Sequence, residues 1–190
     1  MFHSNDLKIE YYDTLPSTND LARENLRHLR IIVADFQTNG RGQRENIWEA
    51  EKGSSILATM VYELKHGQNL DSEKLSFETA RAISEVLAEE YPITPSIKFP
   101  NDILIDGKKV CGILIEVVQG FAIVGFGINI TDSPDSYNAT SVLTEIAKKS
   151  VAKTDRLTIN KDLLLRKILD KILCFYENQE KAEEKSCVTK

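Results

Sequence analysis

Two tight-turn signals in the second half of the chain limit the folds it can adopt. Asp106-Gly107 and, less strongly, Gln119-Gly120 separate short apolar segments rich in β-branched residues. A two-residue hairpin favours such pairs because its central residues must tolerate positive φ. We therefore predict a meander of antiparallel strands over residues 96–99, 103–105, 109–118 and 121–128.

The remaining segments predict helices and two more strands. A helix begins after Ser17, in the capping sequence Ser17-Thr18-Asn19-Asp20, and extends to about Arg30. Further helices are predicted over residues 72–90, over residues 141–148 and from about Asn160. Buried strands are predicted over residues 31–36 and 55–63, and the charged tail from residue 177 is expected to fray.

No internal repeat and no Pro- or Gly-rich linker divides the 190 residues. We therefore predict a single domain over residues 1–190. The mixture of segments predicts the α+β class, with a mixed, largely antiparallel β-sheet and helices packed mainly on one face.

Composition and charge exclude several classes of protein. No apolar run reaches the roughly 18 residues of a membrane span, and no secretory signal precedes the first helix, so we predict a cytoplasmic protein. The formal net charge of −5 argues against an extended contact with nucleic acid. The three cysteines lie far apart, which predicts neither a disulfide framework nor a zinc site. The glycine pattern of a P-loop is missing, and Ile130 replaces the third glycine of a dinucleotide fingerprint.

Four short segments carry residue types that suit a ligand site, although each has an ordinary structural explanation alone. Gly40-Arg41-Gly42 lets backbone and a guanidinium approach an anion, but an isolated G-R-G is more often a turn. Lys98 lies in a predicted strand and is expected to point away from its apolar face. Helix capping explains Ser17-Thr18-Asn19, and Gly125-Phe126-Gly127 is either a bulge or a glycine pair that admits a ligand.

Taken together and in order, these segments resemble the biotin protein ligase family over about residues 12–176. Lys98-Phe99-Pro100-Asn101-Asp102, followed by Lys109-Val110-Cys111-Gly112-Ile113-Leu114-Ile115-Glu116, carries most of the specificity. The other matching segments are Ser17-Thr18-Asn19, residues 37–44 with Trp48, and residues 124–129. The resemblance implies the catalytic fold of biotin and lipoate ligases. It also implies an AMP-forming ligase that activates biotin with ATP and Mg²⁺ and biotinylates a lysine of a biotin carboxyl carrier domain.

The resemblance also implies roles for individual residues. Lys98 and Arg41 are the expected catalytic residues, because fixed positive charge lets the biotin carboxylate approach the α-phosphate of ATP. The residues expected to bind biotin are Ser17, Thr18, Asn19, Gln37, Gly40, Arg41, Lys98, Gly112 and Gly125. The residues expected to bind the nucleotide are Gly40, Arg41, Gly42, Gln43, Arg44, Trp48, Lys98, Asn101 and Asn129. Trp48 is expected to stack on adenine, and Asp102 is a candidate metal ligand.

The chain departs from the common family pattern in its glycine loop. Gln43 replaces the second basic residue, and Glu45 replaces the glycine that usually follows Gly42 in the loop, which predicts weaker closure over the adenylate. We also expect no N-terminal winged-helix domain and no C-terminal β-barrel, while a homodimer stays open. Two alternative functions stay open as well. One is a lipoate or octanoate ligase or transferase of the same superfamily, and the other is a non-catalytic protein that binds biotin or the carrier.

Overall fold

The computed structural model describes residues 7–65, 71–134, 138–149 and 158–187. Within them lies a seven-stranded sheet with the order β1-β2-β3-β7-β6-β5-β4. The strands are β1 Ile9–Leu15, β2 Arg30–Gln37, β3 Ser55–Glu63, β4 Pro95–Lys98, β5 Asp102–Ile105, β6 Lys108–Val118 and β7 Phe121–Asn129. The helices of this part are α1 Thr18–Glu24, α2 Ser72–Glu90, α3 Val142–Lys149 and α4 Lys161–Cys187.

The pairing of the strands confirms the predicted meander. β1 and β2 are parallel, and the other neighbouring pairs of the sheet are antiparallel. Both turns adopt the left-handed backbone that their residues favour, with φ of 48° and 76° at Asp106 and Gly107 and of 50° and 81° at Gln119 and Gly120. These two turns place β5, β6 and β7 side by side.

Helices cover both faces of the sheet, but unequally. α2 packs on β4 to β6 and against α4, and the main apolar core lies between these two helices and the sheet. α1 covers part of the opposite face, over a smaller cluster of Ala22, Ile32, Val61 and Ile123. The central strands β3 and β7 are therefore buried along nearly their whole length. The predicted class and the mixed, largely antiparallel sheet are confirmed.

α1 is shorter than the sequence predicts, because it ends at Glu24 rather than near Arg30. Arg30 instead begins β2, and its guanidinium donates to the carbonyl oxygens of Leu21 at 3.1 Å and Asn25 at 3.3 Å. Leu29 has a φ of 58°, which ends any helical course before that point. Of the apolar residues after Glu24, Leu26 packs against the smaller cluster under α1 and Leu29 against the main core.

Two further differences concern the ends of the chain. β1 is missing from the prediction because apolar and polar residues occur on both of its faces, as suits a partly buried edge strand. α4 continues past residue 177 to Cys187, since the Glu, Lys, Ala and Gln of this stretch are good helix formers. Residues 188–190 of the predicted tail lie outside the described residues. In the part of the chain that the structure describes, no helix combines the length and apolarity needed to cross a membrane.

Candidate active site

A narrow pocket, called the ring pocket below, opens above the sheet where α1, β6, β7 and the glycine loop meet. In this conformation its volume is only about 40 Å³. The lining residues are Ser17, Thr18, Asn19, Gln37, Arg41, Gly42, Gln43, Trp48, Asn101, Lys109, Gly112, Ile113, Leu114, Gly125, Phe126 and Gly127. Most of these lining residues are ones that the sequence predicts for the ligand site.

Uncharged hydrogen-bonding groups form the floor of the ring pocket. The backbone N–H and the hydroxyl of Thr18 both donate to Oε1 of Gln37, at 2.7 and 3.0 Å. The hydroxyl of Thr59 lies 2.6 Å from Oδ1 of Asn19 and 2.8 Å from Oγ1 of Thr18. Thr59 is fully buried in β3 and was not predicted, because its segment has the pattern of an ordinary core strand. The network fixes the polar groups at the start of α1 before any ligand arrives.

Glycines leave the space that the ring pocket uses. A Cβ at Gly125 would overlap with Oδ1 of Asn19, and one at Gly127 would overlap with the ring of Trp48. A Cβ at Gly112 would lie 2.8 Å from Cζ3 of Trp48 and 3.1 Å from Nζ of Lys109. The indole of Trp48 thus packs directly on two glycines, and this explains why the pocket is so small here.

The glycine loop is closed by its own backbone. Arg41 and Ile47 form an antiparallel bridge, Gly42 N–H donates to the Asn46 carbonyl at 2.7 Å, and Trp48 N–H donates to the Gly40 carbonyl at 2.9 Å. A Cβ at Gly40 would overlap with the carbonyl oxygen of Trp48, so this glycine is needed for the close approach. A short 3₁₀ turn, Gln43–Glu45, forms the tip.

Two carboxylates hold the arginine of this loop. Nη1 of Arg41 lies 2.5 Å from Oδ1 of Asp20, and Nη2 lies 2.8 Å from Oε1 of Glu116. Partial burial alone would lower the pKa of Arg41, but the hydrogen bonds to Asp20 and Glu116 raise it. Glu116 also accepts from Arg23 and, at 3.3 Å, from Nδ2 of Asn19. The loop is thereby connected to the polar floor of the ring pocket.

A second cavity, of about 370 Å³, adjoins the ring pocket and is called the outer cavity below. Nζ of Lys109 lies here, 2.7 Å from Oδ1 of Asp102 and 5.4 Å from the centroid of the Trp48 ring. Nε1 of Trp48 and Oδ1 of Asn129 are buried and have no hydrogen-bond partner among the described residues. Buried polar atoms of this kind require an explanation, and a ligand that fills the cavity supplies one.

Lys98 and Lys109, both in the motif region, occupy different positions. Lys98 is exposed at the end of β4 and lines only the outer cavity, whereas Lys109 lines both cavities. Lys109 lies within the motif but has no function predicted from the sequence. Its place three residues before Gly112, on the same strand, was the signal that could have identified it.

The other predicted residues are distributed as follows. Asn101 lines the ring pocket, but its side chain donates to the carbonyl of Ile113 at 3.1 Å and so joins the β4–β5 turn to β6. Gly40 and Arg44 line an outer groove behind the loop. Asp102 is paired with Lys109, and the described residues contain no group of three or more His, Cys, Asp or Glu that could hold a metal ion.

Comparison with known proteins agrees with this geometry. Residues 11–131 match the sequence profile of the biotin/lipoate A/B protein ligase family. The bifunctional ligase/repressor BirA of Bacillus subtilis is 31% identical over 167 residues, which are 82% of this chain and 51% of that protein. The biotin–[acetyl-CoA-carboxylase] ligase of Mycobacterium tuberculosis is 30% identical over 137 residues, 70% of this chain and 51% of that protein. The chain thus spans about half the length of these curated relatives.

Solved structures give the same result for the fold. The biotin protein ligase of Aquifex aeolicus in complex with biotin and ATP superposes with a TM-score of 0.77 at 26% identity, covering 89% of this chain and 70% of that one. Plasmodium falciparum LipL1 in complex with lipoate superposes with a TM-score of 0.53 at 13% identity, covering 90% of this chain and 62% of that one, which is a likeness of fold alone.

Proposed function

The chain belongs to the biotin/lipoate A/B protein ligase family, and from this membership and the geometry of the site we propose that it is a biotin protein ligase. It activates the carboxylate of biotin with ATP to form biotinyl-5′-AMP and transfers the biotinyl group to a lysine of a carrier domain. The observation that carries the proposal is the meeting of two cavities at Lys109. One is narrow, with an uncharged polar floor. The other has a volume of about 370 Å³, and its lining residues Trp48 and Asn129 each carry a buried polar atom without a hydrogen-bond partner among the described residues.

The floor of the ring pocket suits the ureido ring of biotin. That ring has one carbonyl oxygen and two N–H groups and no charge, so it needs neutral donors and acceptors. Ser17, Thr18, Asn19 and Gln37 present amide and hydroxyl groups at this floor. Gly125 keeps the space beside them open, because any side chain there would displace Asn19.

Lys109 is the group best placed for the adenylation step. An oxygen of the biotin carboxylate attacks the α-phosphorus of ATP, and the bond from that phosphorus to pyrophosphate breaks. Both reactants are anions, so an ammonium at their meeting point lowers the repulsion and stabilises the charge of the transition state. Lys109 lies at that point, and Lys98 lies further out, along the wall of the outer cavity.

The outer cavity suits the nucleotide. Trp48 offers an aromatic face, and Asn129 offers a buried amide oxygen. The ring pocket is too small for biotin while Trp48 packs on Gly112 and Gly127. We therefore expect Trp48 to leave these glycines when biotin binds and to turn towards the outer cavity, where it covers the adenine.

The proposal also includes the acceptor protein and the metal ion that accompanies ATP. The acceptor is a biotin carboxyl carrier domain, whose lysine amine attacks the carboxyl carbon of the adenylate and releases AMP. Mg²⁺ accompanies the phosphates of ATP, because it is typically held by substrate phosphates with few protein ligands, and Asp102, which lines the outer cavity, is the candidate carboxylate. A cytoplasmic location, the lack of a nucleic-acid partner and a homodimer stay predictions.

The test is ATP–pyrophosphate exchange in the presence and absence of biotin, followed by transfer to an added carrier domain. We expect exchange only with biotin, and a carrier mass increased by one biotinyl group. Exchange with lipoate or octanoate but not with biotin would support the alternative ligase. Binding of biotin without exchange would support the non-catalytic alternative.

A further inference from the structure

Thr140, in the short segment before α3, connects the strand of Lys109 with the strand of Asn129. The N–H of Thr140 donates to the carbonyl oxygen of Lys109 at 2.9 Å, and the N–H of Lys109 donates to the carbonyl oxygen of Asn138 at 2.9 Å. The carbonyl oxygen of Thr140 accepts from Nδ2 of Asn129 at 3.1 Å. The position of Thr140 therefore affects both β6 and β7 at the outer cavity.

The side chain of Thr140 is held by a buried carboxylate. Its hydroxyl donates to Oε1 of Glu145, and Nζ of Lys148 lies 2.6 Å from the same oxygen. The side chain of Glu145 is 0% exposed, and its other oxygen has no partner among the described residues. Burying a carboxylate is costly, and an apolar residue of similar size would avoid the cost. A role in holding Thr140 accounts for a charge at this position.

The bond to Thr140 fixes the orientation of the side-chain amide of Asn129, a residue that lines the outer cavity. Because Nδ2 is engaged with the carbonyl of Thr140, Oδ1 is the end left without a protein partner. Asn129 is 2% exposed, so water does not readily satisfy this oxygen. A buried acceptor forms a hydrogen bond with a ligand that presents a donor to it. If the ligand presents an acceptor instead, the buried acceptor stays unpaired, which is unfavourable.

From this arrangement we propose that Glu145 is a positioning residue that acts through Thr140 to set the nucleotide specificity of the site. It holds the Asn129 amide with its oxygen towards the cavity, so that a 6-aminopurine triphosphate is accepted and a 6-oxopurine triphosphate is rejected. This inference rests on the proposed function, which requires a nucleotide in the outer cavity.

The experiment compares ATP with ITP, which carries an oxygen in place of the 6-amino group. The specificity is the ratio of kcat/KM for the two nucleotides in biotin-dependent pyrophosphate exchange. Thr140→Val removes the hydroxyl, and Glu145→Leu removes its acceptor. Glu145→Gln keeps an acceptor oxygen for Thr140, and Thr144→Val is the control at an exposed position of the same helix.

We expect the preference for ATP to fall at least about fivefold in Thr140→Val and Glu145→Leu, because one positioned hydrogen bond is lost. Glu145→Gln and Thr144→Val should keep the parental ratio. If Thr140→Val and Glu145→Leu lost activity equally with ATP and ITP, the role of Glu145 would be structural only, and the proposal would be overturned. If Glu145→Leu fails to fold in a thermal denaturation, the ratio measured for Thr140→Val decides.

A binding measurement separates this inference from the proposed function. Trp48 is the single tryptophan of the chain and lines the outer cavity, so its fluorescence reports nucleotide binding without turnover. A parent protein that shows no exchange but binds ATP better than ITP, with that preference lost in Thr140→Val, would contradict the ligase activity and support the inference. Equal binding of ATP and ITP by the parent would overturn the inference, whatever the exchange assay gives.

Discussion

The ammonium of Lys109 and the carboxylate of Asp102 form an ion pair, with Nζ 2.7 Å from Oδ1, at the junction of the two cavities. Asp102 begins β5 and Lys109 lies near the start of β6, so the tight turn at Asp106-Gly107 brings the two side chains together. The pairing holds the ammonium where the proposed reactants meet. From this position we expect adenylation to depend on Lys109 rather than on Lys98.

Replacing Lys109 by methionine should reduce biotin-dependent pyrophosphate exchange by about a hundred- to a thousandfold, since one preorganised charge is lost from the transition state. Lys98→Met is the matched variant, because Lys98 is a lysine of the same meander that lines only the outer cavity. We expect a much smaller loss for it. Initial rates of exchange at saturating biotin and ATP give the comparison.

The melting temperatures of both variants should stay close to that of the parent, because neither lysine lies in the apolar core. A loss of activity in Lys109→Met that merely follows a loss of folded protein would remove the catalytic explanation. A larger loss in Lys98→Met than in Lys109→Met would restore the assignment made from the sequence.

Lys98 and Lys109 show which features of the site can be predicted from the sequence and which cannot. The meander and its turns depend on local signals and were predicted correctly. Gly112 and Gly125, which the sequence predicts for the biotin site, line the ring pocket. Which lysine reaches the pocket depends on the register of β5 and β6, which shifts between Ile103 and Leu104. No local pattern in the amino-acid sequence predicts that shift in register. Thr59 was missed for a related reason, since only its neighbours across the sheet distinguish it from other core positions.

Gly125→Ala should weaken biotin binding selectively. The added methyl group overlaps with Oδ1 of Asn19, so the Asn19 side chain must move. Its Oδ1 then loses the hydrogen bond donated by Thr59, and its Nδ2 loses the bond that it donates to Glu116. We expect the KM for biotin to rise at least about tenfold, because the displaced Asn19 no longer offers its amide to biotin and one hydrogen bond contributes about 0.5–1.5 kcal/mol, with little change in the KM for ATP. Gly112→Ala is the comparison, because its methyl group meets Trp48 and Lys109 instead. Equal effects of both variants on both substrates would argue against separate pockets.

The ion pair of Glu10 and Arg30 should make stability depend on pH. Arg30 donates to both carboxylate oxygens of Glu10, from Nη2 to Oε2 at 2.9 Å and from Nε to Oε1 at 3.2 Å. It holds the pKa of Glu10 below its ordinary value of 4.5, although partial burial acts in the opposite direction. A lowered pKa in the folded state stabilises the fold above pH 4.5, and this contribution is lost as the pH falls through the folded-state pKa. Glu10→Gln should therefore lower the free energy of unfolding by about 1.5–3 kcal/mol at neutral pH.

Urea denaturation at neutral pH and at about pH 3 measures this contribution, and the difference between parent and Glu10→Gln should shrink at the lower pH. Glu24→Gln, at an exposed position of the adjacent helix, is the control and should show a small difference at both values. If the cost of Glu10→Gln were the same at both pH values, the charge of Glu10 would not be its cause.

Glu45→Gly should not improve the retention of biotinyl-AMP, because the loop needs no left-handed residue at position 45. The residue of the loop tip with that conformation is Arg44, with φ 53° and ψ 47°. A glycine at position 45 therefore relieves no such strain and adds freedom to the unfolded chain, at a cost of about 0.5–1 kcal/mol. Glu45→Gln is the matched variant, since it removes the same charge without freeing the backbone. Release of the adenylate after rapid dilution should be at least as fast from Glu45→Gly, and slower release from it would refute the backbone argument.

Gln43→Arg should slow the release of biotinyl-AMP, because Gln43 lines both the ring pocket and the outer groove, where an added cation attracts the phosphate of the adenylate. We expect release to slow about fivefold, the factor equivalent to about 1 kcal/mol for a partly screened charge pair. Salt should weaken the effect, and Gln43→Leu, which adds no charge, should not reproduce it. Arg44 lines only the groove, so Arg44→Asn, which tolerates the left-handed backbone, should change the release rate less. Equal rates of release from Gln43→Arg and Gln43→Leu at low ionic strength would show that charge at position 43 does not retain the adenylate. Closure of the loop would then depend on Asp20 and Glu116, which hold Arg41, and not on a cation at position 43.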